Sequence, residues 1–390
     1  MAKIVFFCIP AHGHTNPTLG VVRELTTRGH EVWYYSYESF REKIEAAGAR
    51  FVACDQFDTE LKLTPQEATR IGKDLALSTR VLVDTTLALD DTVSRHMKEL
   101  RPDCIVADSM AVWGKAVAQK LGIPFVSSTT TFAFNQYSAR TMKQSPMELL
   151  GLLFAMPRIN RDLKRLQAKG YPINNILDII QNDDNTHTVV YTSPEFQPCA
   201  DTFSDKYAFV GPSIRPVQTP FAKTKEKLVY ISMGTVNNDM LHLYRQLINT
   251  LTDAPYQVVL SVGNTVSLKD FGALPEHISV HNHVDQIGVL EQADVFVSHC
   301  GMNSVSESLY FGVPLVMLPQ TPEQNAVAAR VLELGAGMKL ADPANIQNTV
   351  SQVLNDPSFR EKAAAISAGF RRCTGAKGAA DKILSVCKNK

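Results

Sequence analysis

The chain has 390 residues, 39 Lys and Arg against 39 Asp and Glu, and 45% apolar residues. That length exceeds what one ordinary core organises, so two domains are expected, and a formal net charge of zero excludes the basic surplus of a nucleic-acid-binding protein. No apolar run approaches the roughly 18 residues of a spanning helix, no basic-then-apolar leader opens the chain, and the seven scattered cysteines include no C-x-x-C pair, so a reduced, cytoplasmic protein is expected.

Lys3–Ile9 reads as a buried parallel strand, Gly20–Arg28 as the helix packed back on it, Glu31–Ser36 as the next strand and Phe40–Ala47 as the next helix. This βαβ rhythm predicts a doubly wound domain. Between the first strand and helix, Pro10-Ala-His-Gly-His-Thr-Asn-Pro17 reads as a loop, with Asn16 capping the helix and Pro17 opening it. That places His12 and His14 at the carboxyl end of a strand, where open α/β sheets bind ligands. Thr64–Leu100 has helical spacing. Cys104–Ala107 is a short strand delivering Asp108 to the same rim, followed by the helix Val112–Leu121, the strand Pro124–Ser128 and the polar, aromatic loop Thr129–Asn135. Thr141–Gly170 alternates apolar clusters with a basic tract and reads as mobile helices covering a pocket, although Met and Leu at this spacing more often belong to a core than to a ligand site.

Val189–Thr192 and Ala208–Val210 complete the strands of the first domain, and the stretch Pro212–Lys227, rich in Pro, Thr and Lys, reads as a linker. Strand and helix then alternate again through Leu228–Met233, Leu241–Leu251, Gln257–Ser261, Ile278–His281, Val295–Val297 and Leu315–Leu318, and the tail Arg360–Lys390 is helical. The division is therefore a first domain over 1–212, a linker over 213–227, a second domain over 228–365 and a terminal helix over 366–390.

The stretch Phe296–Pro314 carries the clearest chemistry. The strand Val295–Val297 runs out at His299, and the turn Cys300–Ser304 feeds a helix that closes at Gly312-Val-Pro314. Such a helix start offers backbone N–H groups and a positive dipole end to a phosphate, with Asn303 and Ser304 adding side-chain contacts. Glu307, four residues after Asn303, shares its face, and a carboxylate one turn beyond a phosphate site could accept from ribose hydroxyls as acidic residues do in dinucleotide folds. The competing reading makes Asn303 a helix cap and Glu307 a solvated side chain. In the first domain a neutral imidazole, with an ordinary pKa of ~6.5, suits removal of a proton from a hydroxyl. Asp108, arriving from another strand end, suits holding that ring. Spacing does not separate His14 from His12, and both His and Asp also serve structural roles in loops. His277, His281 and His283 have no carboxylate or Cys completing a metal spacing, and Ala11-His-Gly-His lacks the G-x-G-x-x-G turn of a dinucleotide site.

The segment His283–Gln324 strings together His-Val-Asp-Gln, His-Cys-Gly-Met-Asn-Ser with its following Glu, Gly-Val-Pro and Pro-Gln-Thr-Pro-Glu-Gln. It resembles the donor-sugar signature of the family 1, GT-B-fold UDP-glycosyltransferases, and most closely that of the bacterial macrolide-type members. The resemblance implies two Rossmann-like doubly wound domains facing each other across a cleft, the first for the acceptor and the second for the UDP-sugar. It implies that the terminal helix crosses back to the first domain. The implied reaction is inverting, metal-independent transfer of glucose from UDP-glucose, a co-substrate rather than a cofactor, to a hydroxyl of a hydrophobic small molecule such as a macrolide or flavonoid. His14 is the implied base and Asp108 its partner. Thr235, His299, Gly301, Asn303 and Ser304 are implied at the diphosphate and sugar, His283, Val284 and Gln286 at the base and ribose, Glu307 at the ribose, and Glu323 with Gln324 at the sugar hydroxyls. His283 stands where plant members carry Trp, Asp285 where they carry Pro, and Glu323 where they more commonly carry Asp. The alternatives are a UDP-sugar epimerase or lipid-acceptor transferase on the same fold, or a nucleotide-sugar-binding protein without turnover.

Overall fold

A computed structural model describes residues 1–54, 74–141, 146–173, 175, 176, 178, 185–234 and 240–388. The chain divides into two compact units, the first made of Met1–Tyr191, Cys199–Ser213 and Thr374–Lys390, the second of Thr192–Pro198 and Ile214–Cys373.

Seven strands build the first unit: β1 (Lys3–Phe7), β2 (Glu31–Ser36), β3 (Arg50–Ala53), β4 (Cys104–Asp108), β5 (Phe125–Thr129), β6 (His187–Val190) and β7 (Tyr207–Phe209). They lie in the order β3-β2-β1-β4-β5-β6-β7, and every pairing is parallel. Parallel neighbours need crossover connections, so both faces of the sheet are covered and the strands are apolar throughout. Alternation in β1 shows the two cores. Ile4 and Phe6 pack with Val21, Val22 and Leu25 of the helix His12–Thr27 and with Ala379, Ala380 and Ile383 of the terminal helix Gly375–Lys388. Val5 and Phe7 pack on the opposite face with Val83, Val93 and Met97 of the helix Leu75–Leu100 and with Val112 and Val117 of the helix Val112–Leu121. Each such large side chain contributes about 1.5–3 kcal/mol relative to leaving it exposed.

Three readings change here. The first helix begins at His12, with Ala11 extended at the cap position and Pro17 inside it, rather than at Asn16-Pro17. Pro17 forfeits a bond to the Gly13 carbonyl, but Thr15, Pro17, Thr18, Val21, Val22 and Leu25 form one buried stripe that holds the whole segment helical. The long helix starts at Leu75, where the Asp74 carboxylate accepts from the Leu77 N–H at 3.1 Å; positions 64–73 lie outside the described residues. The helical tail is two helices, Pro357–Arg372 in the second unit and Gly375–Lys388 in the first, broken at Cys373, whose backbone is extended with φ −70° and ψ 155°.

The second unit holds β8 (Leu228–Ser232), β9 (Gln257–Ser261), β10 (Ile278–His281), β11 (Val295–Ser298), β12 (Leu315–Met317) and β13 (Gly337–Lys339), in the order β10-β9-β8-β11-β12-β13 and again all parallel. Val229, Ile231, Val258, Val295 and Val297 pack against Tyr244 and Leu247 of the helix Leu241–Thr250 and Val350 of the helix Ile346–Asn355. On the other face Tyr230 stacks on Phe296 with ring centroids 4.9 Å apart. Each sheet has one place where the chain order reverses direction, between β1 and β4 in the first unit and between β8 and β11 in the second. Crevices at the carboxyl ends of such strand pairs are where open parallel sheets bind ligands.

Candidate functional site

At the first reversal point, β4 ends in Asp108 and the helix following β1 carries His14 on its first turn. His14 Nδ1 stands 2.8 Å from Asp108 Oδ2; the Asp108 side chain is buried and that of His14 is 18% exposed, so the ring keeps an edge to solvent. A carboxylate only accepts, so Nδ1 carries the proton and Nε2 is the basic nitrogen. Asp108 is itself held, because its Oδ1 accepts from the Met110 N–H at 2.9 Å. Thr130, immediately past β5, brings its Oγ1 to 3.1 Å from the same His14 Nδ1. His12 goes elsewhere: it is exposed, its ring lies 5.0 Å from that of Phe40, and its Nδ1 is 3.5 Å from Lys43 Nζ. The two histidines that spacing leaves equivalent are thus separated by which one meets the carboxylate. Past β4 and β5, Met110 and Phe134 in the segments that follow and Tyr137 in the helix Gln136–Thr141 are exposed apolar side chains.

At the second reversal point, β11 ends one residue before His299, and the helix Met302–Tyr310 begins just beyond. Its cap position is Gly301, and no side chain caps it, so Asn303 is not the cap. Helix-start N–H groups in this state are donors for an anion. The His299 ring is held by backbone on two sides. A Cβ on Gly234 would fall 2.6 Å from its Cε1 and Nε2, and one on Gly301 would fall 2.7 Å from Nε2. Gly234 also has φ +83°, a conformation side chains resist. Cys300, between His299 and Gly301, adopts φ +67° although it carries a side chain, a strained backbone of the kind found where a loop is shaped for a ligand. His299 Nδ1 is buried without a hydrogen-bond partner. Burial lowers this imidazole below its ordinary value, outweighing a nearby Ser232 backbone group that favours the charged form.

Glu307 lies one turn along the same helix and is half-buried rather than solvated. Desolvation raises its carboxyl, partly offset by Gln286, whose Nε2 donates to Glu307 Oε2 at 2.5 Å. Gln286 Oε1 accepts in turn from Tyr230 OH at 3.2 Å, so Tyr230, Gln286 and Glu307 form one chain. Asp285 binds the start of the linker: it pairs with Arg215 and accepts from the N–H groups of Gln218 at 2.6 Å and Thr219 at 2.8 Å. Burial would raise its carboxyl, but Arg215 and those two N–H groups outweigh it and hold the group below the usual carboxylate range. His283 is exposed, with Nε2 2.9 Å from Asn264 Oδ1, and Val284 is half-buried beside it.

Gln324 has a structural duty that sequence reasoning missed. Thr321 and Gln324 form a capping box at the start of the helix Pro322–Glu333: Gln324 N donates to Thr321 Oγ1, and Gln324 Oε1 accepts from the N–H groups of Thr321 and Gln320. The Thr-x-x-Gln spacing from Thr321 to Gln324, with Pro322 at the first helical position, was the available signal. Its amide nitrogen remains the group suited to a ligand oxygen, and Glu323 beside it is exposed on the first turn. Asn303 and Ser304 are half-buried on the first turn after Gly301. Thr235 lies outside the described residues. His277 Nε2 stands 3.2 Å from the Leu251 carbonyl, and among the described residues no group of three or more His, Cys, Asp or Glu gathers as a metal site. No helix among them is long and apolar enough to cross a membrane.

Comparison with known proteins bears on the family and the fold. Residues 245–371 match the model of the erythromycin biosynthesis protein CIII-like C-terminal domain. The chain is 32% identical over its whole length to the uncharacterized UDP-glucosyltransferase YojK of Bacillus subtilis, covering 98% of that protein. It is 30% identical to the demethyllactenocin mycarosyltransferase of Streptomyces fradiae over 98% of this chain and 86% of that one. The crystal structure of the glycotransferase of kitacinnamycin superposes with a TM-score of 0.85 at 28% identity, covering 99% of this chain and 98% of the other.

Proposed function

Since the chain belongs to the bacterial family 1 glycosyltransferases of GT-B fold, we propose that it transfers glucose from UDP-glucose to a hydroxyl of a hydrophobic small molecule, with inversion and without a metal. The observation that carries this reading is the 2.8 Å contact between His14 Nδ1 and Asp108 Oδ2 at the reversal point of the first unit. With Nδ1–H on the carboxylate, Nε2 takes the acceptor hydroxyl's proton as its oxygen attacks the anomeric carbon, and Asp108 stabilises the imidazolium that results. One in-line displacement inverts the anomeric centre, and the departing oxygen leaves with the nucleoside diphosphate.

In the second unit the start of the helix Met302–Tyr310, with Gly301, Asn303 and Ser304, receives the diphosphate together with His299, whose buried nitrogen lacks a protein partner. A helix N-terminus stabilises the charge that builds on a leaving diphosphate, which is the task a metal performs elsewhere. Glu307, fixed through Gln286, takes ribose hydroxyls; His283 and Val284 take the base; Glu323 and the Gln324 amide take sugar hydroxyls. Relatives named as UDP-glucosyltransferases support glucose, while a mycarosyltransferase among them shows that the donor sugar varies across this family. Macrolide-type relatives and the exposed Met110, Phe134 and Tyr137 support an apolar, ring-containing acceptor. A cytoplasmic location belongs to the same reading.

The test is UDP release from UDP-glucose with and without phenolic and macrolide acceptors, for wild type and His14→Ala. Acceptor-dependent release that falls at least ~10²-fold in the variant is the expected result for loss of a general base. Equal release with and without acceptor would favour hydrolysis, conversion to a second UDP-sugar without UDP release would favour epimerisation, and full activity in His14→Ala would remove His14 from the mechanism.

A further inference from the structure

We infer that Thr130 is a positioning residue for His14, a second acceptor that fixes the imidazole jointly with Asp108; this deepens the reading of His14 as the base and rests on it. Three strand ends converge at this point. Asp108 closes β4, its register partner in β5 is Ser128, and Thr130 stands two residues further along that strand's direction, which lets its side chain overhang the crevice. Thr130 is 4% exposed, and its Oγ1 lies 3.1 Å from His14 Nδ1, the nitrogen that Asp108 Oδ2 meets at 2.8 Å.

Because Nδ1 carries the proton shared with a carboxylate, the Thr130 oxygen faces an N–H and accepts; its own hydroxyl proton points away from the ring. One Nδ1–H thus runs between two acceptors held by different strands. A single hydrogen bond sets a distance and leaves the ring able to swing about the Cβ–Cγ bond. A second acceptor off the first axis removes that rotation, and with it the scatter in where Nε2 meets an acceptor hydroxyl. Proton transfer from a group misplaced by ~1 Å loses on the order of 10²-fold, so the smaller loss of orientation here is expected to cost about 10-fold. Valine preserves the shape of threonine and deletes only the hydroxyl, which makes it the informative change.

Steady-state kinetics are compared for wild type, Thr130→Val, Thr130→Ser and His14→Ala, and for Thr130→Val combined with His14→Ala, with folding checked by circular dichroism. Thr130→Val is expected to lower kcat about 10-fold at unchanged donor KM, Thr130→Ser to restore it, and the double variant to match His14→Ala alone, since a residue acting through His14 has nothing left to position. If Thr130→Val does not fold, Thr130→Ala carries the same expectation. Wild-type kinetics in Thr130→Val overturn the inference. So does a rise in donor KM at constant kcat, which marks a substrate contact, or a 10-fold loss that persists without His14. Full activity of His14→Ala would instead overturn the reading beneath it.

Discussion

Each unit carries a histidine at the crevice where its strand order reverses, and the two are prepared in opposite ways. His14 meets a buried carboxylate and a threonine hydroxyl, both at its Nδ1. His299 has no carboxylate; it is pressed between the backbones of Gly234 and Gly301, its Nδ1 is unpartnered, and burial disfavours its charged form. Topology supplies the same crevice twice, and the neighbouring side chains decide what each does. In the proposed function the first serves as the base and the second lies beside the diphosphate at the helix start.

The largest expected effect tests that contrast directly. His14→Ala should cut acceptor-dependent kcat by ~10² or more at unchanged donor KM, whereas His299→Ala should act chiefly by raising donor KM; initial rates at varied UDP-glucose separate the two, and the same signature in both variants would break the comparison. Next comes the glycine cradle. Gly234→Ala and Gly301→Ala each place a Cβ within 2.7 Å of the His299 ring, so donor affinity measured by calorimetry should weaken by about 10-fold or more, the scale of losing a positioned contact worth ~1.4 kcal/mol. Gly234→Ala should in addition lose about 1–2 kcal/mol of stability for its positive φ.

Thr321→Ala removes the capping-box acceptor and should cost ~1 kcal/mol in urea unfolding with little change in kcat; a large loss of activity would assign Gln324's orientation to the cap rather than to the ligand. The smallest effect is one of pH. The folded value of His299 lies below its unfolded value of ~6.5, so between the two the unfolded chain binds more protons and stability falls as pH drops below about 6.5. Asp285 has the same sign at lower pH: its depressed value contributes stability above about pH 4 that is lost as pH falls through the folded value. Melting curves from pH 7.5 to 5 should show wild type losing stability relative to His299→Gln, and parallel curves would mean that burial of this ring is not felt.

The alternation of Ile4, Val5, Phe6 and Phe7 and the apolar run Val295–Val297 announce strands covered on both faces, and the sheets bear this out. The segments Val112–Leu121 and Ile278–His281 fall where their spacing puts them. Less was legible where local signals compete with packing. Asn16-Pro17 looks like a helix start, yet the stripe from Thr15 to Leu25 carries the helix back to His12. Gln324 looks like a ligand residue, yet the nearest unmet donors are the Thr321 and Gln320 N–H groups at its own helix start.

By itself the sequence determined the two parallel sheets, the helix that follows His299 and the family signature, because strand burial and helix starts are written in residues close together along the chain. The contact of Asp108 with His14 rather than His12, the convergence of Thr130 from a third strand end and the enclosure of His299 by Gly234 appear only in the folded molecule. The residues involved are 94, 116 and 65 positions apart for Asp108, Thr130 and Gly234 from their respective histidines. Periodicity carries no information over such separations, whereas parallel strand register brings every one of these residues to the same edge of its sheet.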